Sequence, residues 1–204
     1  MIVVMARVPE PGKTKTRLIP LLGELGAARL SAAMTGDVLD VVRASGLPFR
    51  IALCGPIDHP WVRSLAADVE PQIEGDLGAI LTHALREGGV AIGTDAPTLP
   101  LPMLREAHGS SADVVIAPAF DGGYVLVGVQ EPGLLFAGIP WSTPRTFDRQ
   151  VARARELGLS VRVLPFWYDV DEPADLEFLR NHLTTLPESV APRTRSFLDA
   201  TPPG

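Results

Sequence analysis

Lysine is nearly missing from this 204-residue chain: of its eighteen basic side chains only Lys13 and Lys15 are lysines, and the rest are arginines. Cysteine is rarer still. Cys54 stands alone, which excludes an internal disulfide framework and a cysteine-based zinc cage. It follows the apolar run Phe49–Leu53 and reads as a buried strand-end thiol rather than a nucleophile. Positive charge is short overall. A net charge of −6 and a pI near 5.2 leave no broad basic face for nucleic acid or a membrane surface. No run is long and apolar enough to span a bilayer, and no basic segment precedes a long apolar one at the start. The expectation is a cytoplasmic, soluble protein of one domain, with apolar residues enough for a sizeable core.

What is present is concentrated. The two lysines lie in Pro9-Glu10-Pro11-Gly12-Lys13-Thr14-Lys15-Thr16-Arg17, just after the apolar run Ile2–Met5, and Arg7 and Arg17 flank them. Arginine replaces lysine on most solvated surfaces, but it cannot mimic a compact ammonium on a flexible stem. Four cations in one turn of an acidic chain predict an anionic ligand, and a small phosphorylated one fits best. A solvated basic turn is the plainer alternative.

Short apolar runs at Ile2–Met5, Phe49–Leu53, Val90–Ile92, Val114–Ala117 and Val161–Leu164 read as buried strands. Between the first two, a helix over about Glu24–Ala44 would bury Leu25, Ala28, Ala32, Leu39 and Val42. Asp76–Glu87, Pro102–His108, Pro144–Leu157 and Pro173–Leu183 also read as helices, the last three with proline near their starts. Such alternation predicts a largely parallel sheet covered on both faces, and Tyr124–Val129, after a Gly-Gly turn, makes a mixed sheet the expectation. Residues 1–185 form the domain. Leu186–Gly204 holds four prolines and reads as a loosely attached tail, with one short helical turn around Thr194–Ala200.

Four stations can carry chemistry. In the basic loop, Gly12 would let the backbone approach phosphate oxygens, Lys13, Lys15 and Arg17 supply charge, and Thr14 and Thr16 supply hydroxyls. The Gly-Lys-Thr triplet is not a P-loop: Arg7 stands where that motif needs glycine, and two prolines withhold N–H donors. Gly93-Thr94-Asp95-Ala96-Pro97 places Asp95 at a strand's carboxyl end, where it can hold Mg²⁺ or Mn²⁺ or cap the next helix. Asp121-Gly122-Gly123-Tyr124 is a hairpin turn or a place where a substrate approaches the backbone. In Asp169-Val170-Asp171-Glu172-Pro173 the two aspartates point to one side of an extended backbone, suiting a shared cation or a helix cap, while Asp175 complements the helix start. Together, a cationic loop and two acidic stations match what a metal–nucleoside diphosphate complex requires.

The ordered segments Ala6–Leu18, Gln72 with Gly75–Gly78, Gly93–Pro97, Pro118–Tyr124, Trp141–Thr143 and Asp169–Leu176 resemble those of a family of small bacterial GT-A-like glycosyltransferases associated with radical-SAM clusters and arsenosugar biosynthesis. The resemblance runs from Met1 to about Leu183. It implies a Rossmann-like, three-layer nucleotide-diphospho-sugar transferase fold, shared with molybdenum-cofactor and phospholactate guanylyltransferases. By the same resemblance Arg7, Lys13 and Arg17, with Lys15, Gly12, Thr16 and Gly93 nearby, bind nucleotide phosphates. Gly75 and Asp76 lie in the part that closes over the nucleobase. Asp95 and Asp171 hold the metal, with Asp169 as partner, and Asp121 to Tyr124 line the sugar or acceptor side. Where the family continues after Gly78 with Glu-Arg, this chain has Ala79-Ile80. The implied activity is metal-dependent glycosyl transfer from a nucleotide sugar to a small acceptor, with Asp95, Asp121 and Lys13 as the catalytic candidates. Nucleotidyl transfer from a nucleoside triphosphate, with pyrophosphate release, would use the same groups. Nucleotide binding without turnover is a third reading.

Overall fold

In a computed structural model, which describes residues 1–201, the apolar runs become a seven-stranded sheet. Its strands are β1 Ile2–Arg7, β2 Phe49–Cys54, β3 Val69–Pro71, β4 Gly89–Gly93, β5 Val114–Pro118, β6 Tyr124–Val129 and β7 Val161–Val163, in the order β3-β2-β1-β4-β6-β5-β7. Only β6 runs against the rest, wedged between β4 and β5. The sheet is therefore mixed but mostly parallel, as the sequence predicts. Strand β1 is buried on both faces, which is why it reads as a continuous apolar run rather than an alternating one.

The pleat divides the core. Ile2, Val4 and Ala6 of β1 pack with Val38, Leu39 and Val42 of the long helix α1 (Ile19–Ser45) and with Met103 and Leu104 of α4 (Leu101–His108). The short helix α2 (Pro60–Arg63) adds Val62 to this layer. Val3, Ala91 and Val127 face the opposite layer, where Leu81 and Ala84 of α3 (Leu77–Ala84) and Ala154 of α5 (Thr146–Glu156) cover them. A third cluster joins Leu30 and Met34 of α1 to Leu176 and Leu179 of α6 (Pro173–Thr185) and Leu198 of α7 (Pro192–Asp199).

Three expectations need correction. Helix α1 starts earlier than Glu24 and is kinked at Gly23, whose φ of 69° lies outside helical space. Its buried stripe also differs: Leu25 is exposed and Ala32 only half-buried, while Ala27, Leu30, Met34 and Val38 face inward. The C-terminal segment is not loose. Helix α7 docks on α1, because the buried Asp37 carboxylate accepts the Arg193 and Thr194 N–H groups at 3.1 and 2.8 Å. These two donors open α7, so Asp37 fills the place of an N-terminal cap from another helix. Pro202–Gly204 of the expected tail lie outside the described residues.

Candidate active site

All four stations leave the sheet at its carboxyl-terminal edge, where open α/β sheets bind ligands. After β1, Lys13 N–H donates to Glu10 O at 3.1 Å with Pro11 and Gly12 between them, and Gly12 has φ +78°. That is the pattern of a type II turn, which requires glycine at its third position. Thr14 is buried and its hydroxyl donates to Val8 O at 3.1 Å, so that proton clamps the loop. Lys15 then takes a left-handed backbone, φ 50° and ψ 45°, before a 3-10 turn at Thr16–Leu18. A side chain in that region costs on the order of 1 kcal/mol. The contacts of Lys15 hold it there.

The Lys15 ammonium lies 2.7 Å from Asp95 Oδ1 and 2.6 Å from Asp171 Oδ1, and donates to Val170 O at 2.6 Å. Burial alone would lower its pKa, but Asp95 and Asp171 outweigh that and hold it above the ordinary lysine value. Burial raises the Asp95 carboxyl; Lys15 opposes the shift and Asp171 adds to it. Val170 N–H also donates to Asp95 O at 2.9 Å. One ammonium thus ties together three segments remote in sequence. While it holds these three oxygens, Lys15 has no N–H left for a phosphate.

Lys13 is the opposite case. Its side chain is 70% exposed and pairs with Glu10 at 3.1 Å. An exposed pair of this kind is worth little, so the ammonium is available to a ligand. Arg17 is similarly exposed, 3.4 Å from Glu172. A cavity of about 480 Å³ is lined by Arg7, Lys13, Lys15 and Arg17 together with Asp95 and Asp171. A second cavity, of about 420 Å³, shares Arg17 and Asp171 with the first and adds Phe120, Asp121, Asp169 and Phe178. There Asp169 is pushed up to about 6, by burial first and then by the Asp121 and Asp171 charges.

The predicted metal set is only partly assembled. Asp95 and Asp171 aim one oxygen each at a single cationic centre, the geometry in which two carboxylates share an ion. The pair therefore fits a divalent cation, which would have to take the place of the Lys15 ammonium. Asp169 does not complete a trio: among the described residues no three acidic, histidine or cysteine groups converge on one point. Asp95 does not cap a helix, because α4 only begins at Leu101. Asp175 does serve the start of α6, its Oδ2 accepting Asp171 N–H at 3.0 Å and Glu172 N–H at 2.8 Å.

The Asp121–Tyr124 station divides. Asp121 lines the second cavity, and its Oδ1 accepts Gly123 N–H at 2.7 Å in the β5–β6 hairpin. Gly122 leaves no room for a substrate, since a Cβ there would meet Pro144 O at 2.2 Å. Tyr124 is turned away from both cavities. It packs edge-on to Trp141, its hydroxyl lies 3.4 Å from Gln150 Oε1, and burial raises the phenol. Of the segment Gly75–Gly78, only Leu77 lines the first cavity; Asp76 caps α3 through Ala79 N–H at 2.8 Å.

Gln72, Thr94 and Cys54 also line that cavity. Cys54 is half-buried, not buried, and pairs in register with Arg7 across β1 and β2. The signal for it lies in the sequence: a residue ending a parallel strand next to the one that carries the basic loop.

Comparison with known proteins bears on the fold and the class of activity. The chain is 26% identical over 172 residues to 2-phospho-L-lactate guanylyltransferase from Archaeoglobus fulgidus, covering 82% of this chain and 78% of the relative. A solved structure from Desulfovibrio desulfuricans G20, provisionally assigned as a nucleotide-diphospho-sugar transferase, superposes with a TM-score of 0.86 at 29% identity, covering 98% of this chain and 95% of the other. A nucleotidyl transferase from Methanothermobacter shares the fold at 15% identity and a TM-score of 0.58, covering 91% of this chain and 99% of the other. The fold is thus the Rossmann-like one of nucleotide-diphospho-sugar transferases, and these relatives are transferases. The model of DUF2064, uncharacterized proteins conserved in bacteria, matches residues 38–143, which carry Asp95 and Asp121, and the chain belongs to that family.

Proposed function

We propose that this chain is a transferase that moves a nucleotidyl group from a nucleoside triphosphate to a small-molecule acceptor and releases pyrophosphate. The observation that carries this reading is the first cavity, which Arg7, Lys13 and Arg17 line together with the Asp95–Asp171 pair at the carboxyl edge of the sheet. Three cations with free donors suit the oxygens of a triphosphate better than those of a shorter diphosphate. The guanylyltransferase relative supports the same chemistry and makes GTP the first donor to test.

An acceptor oxygen entering from the second cavity attacks the α-phosphorus and forms a new P–O bond. The bond from the α-phosphorus to its bridging oxygen breaks, and pyrophosphate departs with the electron pair. Arg7, Lys13 and Arg17 offset the charge that grows on the leaving group. Asp121 and Asp169, which line that cavity, are the carboxylates that would take the acceptor's proton. A Mg²⁺ or Mn²⁺ ion held by Asp95 and Asp171 would supply further charge neutralisation at the phosphates. Without that ion, Lys15 holds the two carboxylates together; with it bound, the displaced ammonium stays beside the phosphates on the loop that bears the other cations.

Glycosyl transfer from a nucleotide sugar, which the arsenosugar-associated resemblance implies, is the second reading. The likeness to the Desulfovibrio protein favours it. Incubation with GTP or a nucleotide sugar, Mg²⁺ and a small-molecule extract separates the two. Pyrophosphate from the triphosphate supports nucleotidyl transfer. Nucleoside diphosphate from the nucleotide sugar, with no pyrophosphate from GTP, overturns it.

A further inference from the structure

The second cavity has a charge balance unlike that of its neighbour. Arg17 is its single cation, set against five carboxylates, of which Asp121 and Asp169 matter most. Glu172 is matched by Arg17, Asp171 by Lys15, and Asp175 by the N–H groups that open α6. Among the described residues, Asp121 and Asp169 have no lysine or arginine within ion-pair distance. The rest of the wall is Ala174 and three aromatic residues, Phe120, Tyr168 and Phe178. Phe120 is 70% exposed, with its ring stacked on the exposed Phe166 at 6.0 Å and 10° between planes. Phe178 is also half exposed and packs edge-on to Tyr168 at 4.8 Å. Large apolar rings left this open beside a polar cavity provide a face for a ligand to cover.

We infer that the acceptor taken by this cavity carries no phosphate or carboxylate: it is a neutral or cationic hydroxyl compound with an apolar face that lies on Phe120 and Phe178. The inference rests on reading the adjoining cavity as the nucleotide site, since Arg17 and Asp171 belong to both. An anionic acceptor would have to approach two uncompensated carboxylates with only Arg17, which the phosphates of the adjoining cavity also claim, to offset its charge. The acceptor named for the archaeal relative, 2-phospho-L-lactate, bears both anionic groups and is therefore excluded here.

Three phenols of closely similar size test this: 4-hydroxybenzylamine (cationic), 4-hydroxybenzyl alcohol (neutral) and 4-hydroxybenzoate (anionic), with 2-phospho-L-lactate as a fourth. Each is titrated by saturation-transfer NMR into the full chain, with and without GTP and Mg²⁺. The cationic and neutral probes are expected to bind at least about tenfold more tightly than either anion. Phe120→Ala weakens the three aromatic probes together. Asp121→Asn combined with Asp169→Asn, two near-isosteric changes, narrows the anion's disadvantage to about threefold or less. Equal or tighter binding of an anion to the wild-type chain overturns the inference. So does failure of every probe to bind, or a ranking that survives the double substitution. The GTP titration reads the neighbouring cavity separately: no GTP binding with the charge ranking intact counts against the nucleotide reading, and GTP binding without the ranking counts against the acceptor class.

Discussion

At the scale of single residues, the Lys15 ammonium does the work of an internal counter-ion. It neutralises two carboxylates that β4 and the segment before α6 bring to one point, and it does so from a left-handed backbone that its contacts compensate. Lys15→Met leaves Asp95 and Asp171 facing each other without a cation. Removing one partner of a buried pair costs several kcal/mol; both aspartates here are about 40% exposed to the cavity, so the loss expected in EDTA is smaller, about 1–3 kcal/mol. Added Mn²⁺ should recover much of it, since an ion that binds only the folded chain stabilises it, and should bind the variant more tightly than the wild type. Urea unfolding with and without Mn²⁺ checks both points. An unchanged midpoint in EDTA would contradict the assigned contacts. Asp169 makes a separate prediction. Its folded pKa, about 6, lies above the ordinary 3.8, so the folded chain holds this proton more tightly than the unfolded one. The stability this confers is fully present below pH 4 and is lost as pH rises through about 6. In EDTA, Asp169→Asn should therefore flatten the decline between pH 4 and 6 and leave the variant about 2–3 kcal/mol more stable at pH 7. Parallel profiles for the two proteins would refute it.

At the scale of elements, the parts with strong local patterns were legible and the parts fixed by distant partners were not. The runs at Ile2–Met5, Val90–Ile92 and Val114–Ala117 became strands because fully buried parallel strands demand continuous apolar sequence. Strand β3 escaped notice: it is three residues long, ends in proline and lies at the sheet's edge, where no apolar run is required. Helix α7 was legible only as a short turn around Thr194–Ala200, and its docking was not, because that depends on Asp37, a carboxylate in the middle of α1 that sequence pattern would place in solvent. Asp37→Ala strips two N–H groups at the start of α7 of their acceptor, one of them buried. It should cost about 2–3 kcal/mol and expose the Leu186–Ala191 link to protease. Chemical unfolding and timed proteolysis measure this, and wild-type values in both would show that α7 is held otherwise. The Gly122–Gly123 pair is a third case, in which the hairpin alternative is the one that forms. Two adjacent glycines open space on paper, but at Gly122 the Pro144 backbone fills it.

For the molecule as a whole, the sheet gathers charges that the chain keeps far apart. The rarity of lysine pointed to the loop after β1, and the strand-end positions of Asp95 and Asp171 pointed to the same edge. What sequence could not supply was the division of labour between neighbours. Lys13 and Lys15 look equivalent in a string, yet one is 70% exposed and the other 5%, because the turn at Gly12 and the left-handed residue after it aim them differently. The same holds for Asp169 and Asp171, which share a cavity although only Asp171 reaches the ammonium. Cys54, the sole thiol, lines the cavity with the loop cations and so reports on whatever enters it. The most direct test of the nucleotide site is the rate at which a thiol reagent modifies Cys54 in the wild-type chain and in Arg17→Ala, with and without GTP and Mg²⁺. Saturating GTP should slow modification of the wild type at least about tenfold, the population shielded at high saturation, and protect Arg17→Ala at higher concentrations only. A rate that no nucleoside triphosphate or nucleotide sugar alters would contradict the placement of the nucleotide in this cavity.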